Sequence, residues 1–163
     1  KTVPRGFWTM IVSKDRLDRC ALEGSEKERL FMERSTAAGK DCWAGTQQDD
    51  WYKHIDVWVN GHGVDVKANR HLECIWMEET NTRGNRGWLR GEATYIAFHI
   101  EETDLFHIFY RAELLDWVLT NVTEETTDKR DFLKYYTRAK WGKKDRVAKV
   151  RLSDIEHLTV TTL

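Results

Sequence analysis

Asp56, Asp65 and Lys67 are the residues whose types and spacing could do chemistry: two carboxylates and one ammonium within the stretch His54 to Ala68, HIDVWVNGHGVDVKA. Hard cations such as Mg²⁺ take oxygen ligands. Two carboxylates and a backbone carbonyl beside Asp65 can hold one and leave positions for water and a phosphate oxygen. An ammonium beside them orients or activates the water and offsets negative charge that builds on phosphorus. The chemistry such a trio supports is metal-assisted hydrolysis. The same three charges could equally form a solvated ion-pair face that contributes little stability, so the elements around them decide between the two.

Those elements begin with a β-hairpin. Two runs of strand-forming residues, His54 to Val59 and Val64 to Ala68, flank Asn60-Gly61-His62-Gly63, whose glycines suit a tight reversal. If Val59 pairs with Val64, then Ile55, Val57, Val59, Val64, Val66 and Ala68 share one aliphatic face. Asp56 then sits opposite Lys67, and Asp65 opposite Trp58, on the face away from the apolar core. Ahead of the hairpin a helix is predicted from Ser25 to Gly39, with Ser25 and Glu28 at capping-box spacing and Leu30, Phe31 and Ala37-Ala38 continuing it. A short strand at Phe7 to Val12 and a helical turn or two over Asp15 to Leu22 are expected before it, and Cys42 to Asp50 reads as a loop.

After the hairpin, Leu72 to Thr80 reads as a strand beside the Val64 strand, and Asn81 to Gly87 as a polar loop. Glu92 to Ile100 and Phe106 to Tyr110 are further strands. Ala112 to Val122 has the one-sided apolar spacing of a helix packed on a sheet. From Lys129 to Arg151, ten basic residues stand against Asp131 and Asp145 alone, with Tyr135, Tyr136 and Trp141 interleaved.

Eight tryptophans and 40% hydrophobic residues among 163 suit one compact domain over 1–163, with a basic segment at about 129–151. A net charge of −1 advertises no nucleic-acid partner globally, and so the local excess matters more. Cys20, Cys42 and Cys74 lack zinc-site spacing and suit a reducing cytoplasm. No run approaches the roughly 18 apolar residues of a membrane span. His54, His62 and His71 fit no usual metal spacing and read as ordinary turn or strand histidines.

Asp56 followed by Asp65-Val66-Lys67 after a short turn resembles the signature of the PD-(D/E)XK nuclease superfamily, with Ile55 where that signature carries proline. The resemblance covers roughly Glu28 to Tyr110. It implies an α/β fold with a restriction-endonuclease-like core, a mixed central β-sheet flanked by helices, that cuts phosphodiester bonds with a divalent metal. By that resemblance Asp56 and Asp65 are the two acids and Lys67 the lysine. The superfamily commonly adds an acid from a helix ahead of the hairpin, and Glu28 looks like that residue, with Glu26 and Glu33 as alternatives and a capping role for Glu28 as the competing reading. The stretch Trp76 to Phe98 is similar to the corresponding part of small phage- and bacteria-type nucleases, which makes Glu78 a further metal or water contact, or Glu79 if the strand is shifted by one.

Arg83, Arg86 and Arg90 in the glycine-rich loop, and Lys140, Lys143 and Lys144 in the basic segment, are the candidates for phosphate contacts; a solvated loop and a solvated helix face are the alternatives. The expectation is a Mg²⁺-dependent nuclease, with Mn²⁺ substituting and DNA as the preferred substrate. A resolvase acting on branched DNA is a specialisation that requires a homodimer. The competing expectation is a nucleic-acid-binding or protein-interaction module that keeps the fold without catalysis.

Overall fold

The computed structural model describes residues 24–163; the strand expected at Phe7 to Val12 and the helical turns at Asp15 to Leu22 lie outside the described residues. Helix α1 runs through residues 24–37. It ends as its glycine predicts: Gly39 takes φ +79°, Lys40 N–H donates to Ser35 O at 3.0 Å, and Gly39 N–H donates to Thr36 O at 2.9 Å. This is a Schellman stop, which needs a left-handed residue after the last turn. Residue 24 is already helical, so Ser25 is not the N-cap and Glu28 is not drawn into a capping box.

The hairpin forms between β2 (Val57–Val59) and β3 (His62–Asn69), but in a different register from the expected one. Val59 pairs with His62, Trp58 with Gly63 and Val57 with Val64. Asn60 at φ +48° and Gly61 at φ +81° are the two residues of the turn, and an Asn-Gly pair with both φ positive matches the twist of the flanking strands. Gly63 is instead a strand residue opposite Trp58. A Cβ there would lie 2.6 Å from Ile55 Cδ1, so the glycine makes room for a core side chain. Ile55 packs in a different cluster from Val57, Val64 and Val66, so the single aliphatic face that was expected is divided.

Cys42 to Asp50 is not simply a loop. Cys42–Ala44 forms an edge strand, β1, antiparallel to β2, with Trp43 stacked on its cross-strand partner Trp58 at 6.4 Å between ring centroids. A one-turn π-helix, Asp49–Lys53, leads from it into the hairpin.

The first sheet has the order β1-β2-β3-β5-β6-β10, with β5 at Tyr95–Ile100, β6 at Leu105–Tyr110 and β10 at Thr159–Thr162. β3 and β5 are parallel and every other pairing is antiparallel, so this central sheet is mixed. The strand over Ile75–Thr80, β4, does not lie beside the Val64 strand as expected; β5 takes that place. β4 pairs instead with β9 (Arg146–Val150) in a second sheet of order β4-β9-β8-β7, where β7 is Glu125–Thr126 and β8 is Tyr135–Tyr136. The basic segment is therefore short strands and turns, with a single 3-10 turn at Ala139–Trp141, and not an α-helix.

Both faces of the central sheet are covered. Phe31 of α1 packs with Val57, Val64, Val66, Ala97 and Phe106 on one. On the other, Ile96, Phe98 and Ile100 of β5 meet Ile75 and Met77 of β4, Leu114 and Val118 of α2 (Arg111–Asn121), and Ile155 of α3 (Leu152–Ile155). The alternation along β5 thus feeds two cores at once. The result is an α/β fold with a mixed central sheet flanked by helices.

Candidate active site

β3 supplies two of the three charged residues. Val64 and Val66 face α1, so Asp65 and Lys67, which alternate with them, project to the other face. Asp65 is 1% exposed. Lys67 Nζ lies 2.6 Å from Asp65 Oδ1 and 5.5 Å from the centroid of the buried Trp88 ring. The contact is a close ion pair, and Asp56 stands within hydrogen-bonding reach of the same carboxyl. Burial pushes the Asp65 carboxyl up, against the pull of Lys67. Burial also works against the Lys67 charge, but Asp65 and Asp56 outweigh it and the ammonium is held above its ordinary range.

Asp56 comes from the end of β2. Its N–H donates to Val64 O at 3.0 Å, one residue beyond the last strand pair, Val57 with Val64, where the ladder ends. The N–H of Val66, beyond that point, donates to Asp56 Oδ2 at 2.7 Å. That bond holds the Asp56 carboxyl against Asp65. Burial first, and the Asp65 charge second, push Asp56 up to about 7. Gly45 N–H donates to Asp56 O at 2.7 Å, and a Cβ on Gly45 would lie 2.6 Å from Ile55 O. Only glycine lets the chain leaving β1 pass this close to the site.

Glu28 on α1 faces the same place. Burial, then the charge of Asp56, then that of Asp50 raise its carboxyl to about 7, with Lys67 opposing. Glu28, Asp50 and Asp56 line one open cleft of about 420 Å³, together with Gln47 and Trp51. Asp50 and Trp51 belong to the stretch read as loop and hairpin lead-in. They carry no motif spacing, and the neighbouring Asp49 looks identical in sequence but is structural: its carboxylate accepts hydrogen bonds from Thr46, Lys53 and Trp58.

The β4 register separates the two adjacent glutamates. Glu78 acts on Lys67 and His54, whereas Glu79 is buried and paired with Arg90 at 2.8 Å and Arg146 at 3.6 Å. His54 caps the π-helical turn in the left-handed region at φ +54°. Burial and then Lys67 hold its imidazole below its ordinary pKa. Among the described residues no three His, Cys, Asp or Glu side chains stand close enough to hold a metal ion together. Glu28 and Glu78 therefore surround the Asp56–Asp65 pair without closing a cage on it. The donor set fits a hard divalent cation all the same: two adjacent buried carboxyls, each raised by burial, are the environment such an ion neutralises.

The basic candidates Arg83, Arg86, Arg90, Lys140, Lys143 and Lys144 are all exposed. Lys144 N–H donates to Thr82 O at 3.2 Å and its side chain crosses Gly84, so the glycine-rich loop and the basic segment meet. Arg86 donates to Tyr52 O at 2.7 Å and to Glu92 at 3.2 Å, which brings that loop to the π-helical turn. Arg90 is committed to Glu79 through two hydrogen bonds, and its charge is balanced inside the protein.

No family model matches the chain, and no curated protein matches it closely. Among solved structures the chain is similar to the bacterial homing endonuclease I-Ssp6803I, at 17% sequence identity and a TM-score of 0.45, over 77% of this chain and 87% of that one. No helix among the described residues is long and apolar enough to cross a membrane.

Proposed function

We propose that the protein is a metal-dependent nuclease of the PD-(D/E)XK type that hydrolyses phosphodiester bonds, with DNA as the preferred substrate. The observation that carries this reading is the buried Asp65 carboxylate held beside Asp56 under the ammonium of Lys67.

Asp56 and Asp65 would hold Mg²⁺ or Mn²⁺, with a backbone carbonyl of β3 as a further oxygen donor. The bound ion supplies Lewis-acid polarisation of the scissile phosphate. Lys67 stays protonated, so it acts by donating: its N–H groups orient the attacking water or meet a phosphate oxygen that gains charge. A proton acceptor is needed near that water, and Glu28, which lines the cleft with Asp56 and is held at about 7, has the matching proton affinity. Glu78 lies within electrostatic reach of Lys67 and helps fix its ammonium. Arg83, Lys140, Lys143 and Lys144 form a basic ridge for the phosphate backbone, and Arg86 links that ridge to the cleft.

Cleavage of plasmid and oligonucleotide substrates with and without Mg²⁺ tests the reading, alongside Asp56→Ala and Lys67→Ala variants confirmed to be folded. Calorimetric titration with Mn²⁺ should show binding that Asp56→Ala abolishes. Variants that cut as fast as the parent would sink it.

A further inference from the structure

We infer that the cleft beside the carboxylates receives an unstacked nucleobase, with Trp51 as its stacking platform, so that the preferred substrate carries an unpaired nucleotide at the scissile bond. The inference rests on the nuclease reading and specifies its substrate.

Trp51 is 64% exposed and Tyr52 68%, side by side on the Asp49–Lys53 turn. Two adjacent large aromatics in water are costly on a turn that could fold them inward. This turn is pinned outward. Asp49 accepts bonds from the Thr46 N–H at 3.0 Å, Lys53 Nζ at 2.8 Å and Trp58 Nε1 at 3.3 Å. Glu92 N–H donates to Lys53 O at 2.8 Å, and Arg86 to Tyr52 O at 2.7 Å. Single-turn π-helices of this kind recur at functional sites.

The Trp51 side chain lines the same cleft as Glu28, Asp50 and Asp56. Its volume of about 420 Å³ lies at the low end of the range for small-molecule pockets, about 300–1,000 Å³, and suits one nucleoside better than a base pair. The charges sort the parts of a nucleotide. With the scissile phosphate at the ion on Asp56, the Asp50 carboxylate disfavours a second phosphate in the rest of the cleft, and an indole wall with the Gln47 amide beside it suits a neutral base, whose face stacks and whose edge hydrogen-bonds. The phosphates on either side then fall towards Arg86 and the basic ridge. A base inside a duplex cannot enter such a cleft without leaving its stack, and an already unpaired one enters at least cost.

The experiment uses the full chain and DNA and RNA oligonucleotides that place 2-aminopurine in a perfect duplex, in a single strand, and as one unpaired nucleotide in a duplex. Fluorescence is followed on mixing with Mg²⁺ and cleavage is followed by gel. The parent should quench the unpaired 2-aminopurine and cut those substrates about tenfold or more faster than the perfect duplex, the size that one base–aromatic stack supports. Trp51→Ala should lose both the quenching and the preference, and Trp51→Phe should keep most of each. A parent without preference, or Trp51→Ala that keeps it, overturns the inference and leaves the nuclease reading standing. Quenching that depends on Trp51 with no substrate cut supports the stacking site and overturns the nuclease reading. No quenching and no cutting overturns both.

Discussion

The Val66 N–H donates to the Asp56 carboxylate at 2.7 Å, just past the point where the β2 ladder gives out. The bond does two things: it satisfies a backbone donor that has lost its strand partner, and it presses one acid against another. Asp56→Asn keeps an oxygen for that N–H and should fold with at least the stability of the parent above pH 7, whereas Asp56→Ala leaves the donor unpaired and should lose about 1–3 kcal/mol. Both should lose cleavage by about 100-fold or more. Urea melts at pH 8 together with single-turnover rates separate the two effects.

Stability should fall with rising pH in the absence of metal. Asp56 and Glu28 have ordinary carboxyl pKa values of 3.8 and 4.5 and are raised to about 7 in the fold. A group whose folded pKa is raised contributes stability that is complete below its unfolded pKa and is lost as pH climbs through the folded one. The melting temperature should therefore decline from about pH 4 to above pH 7, and Mg²⁺ should restore more of it at pH 8 than at pH 5.5, by roughly 5 °C. Thermal melts at several pH values with and without Mg²⁺ check this; equal restoration at both pH values would contradict it.

Lys67→Met should cost stability as well as rate. Asp65 at 1% exposure would lose its counter-charge, although Lys67 itself is 31% exposed and solvent discounts the loss to about 1–3 kcal/mol. A double variant with Asp65→Asn should recover most of that stability and none of the cleavage, which denaturation curves and rate measurements would show.

Gly45→Ala probes the approach of β1 to the site. A methyl group 2.6 Å from Ile55 O and 3.0 Å from Asp56 O must push the two segments apart, so we expect a loss of about 1–3 kcal/mol and slower cleavage even where the variant is folded. Alanine at Gly61, at φ +81° with open space around it, should cost about 1 kcal/mol and leave the rate alone. Chemical denaturation and rates on one substrate compare them.

The basic residues divide into two groups. Replacing Lys140, Lys143 and Lys144 by Gln should weaken nucleic-acid binding and flatten its salt dependence by about 2 to 3 in log–log slope. Arg90→Ala should instead destabilise the fold by about 1–3 kcal/mol, because Glu79 would lose its closest partner. Anisotropy titrations across salt concentrations, paired with melts, distinguish binding from folding.

Short-range signals in the sequence carried most of the elements that position the candidate site. Alternation around Asn60-Gly61 and the glycine stop of α1 are local, and both elements form where they were expected. The register slipped because four turn-prone residues stand in a row, and only the packing of Ile55 over Gly63 shows that the second glycine belongs to the strand. The role of Asp50 was hidden beside that of Asp49, since the two differ only in which way a π-helical turn points them. The position of β4 was beyond reach for another reason: its partner β9 lies about 70 residues away in sequence, and nothing in nine residues of strand-forming character names a partner so distant.

β4 emerges from the ribosome long before the strands of its own sheet: β7, β8 and β9 all follow α2. A nascent chain that has reached the end of α2 can close the hairpin and bring Asp56 and Asp65 together, but it carries Glu78 on a strand with no mate. Synthesis therefore builds in a delay, and the acid pair waits for the last part of the chain before its surroundings are complete.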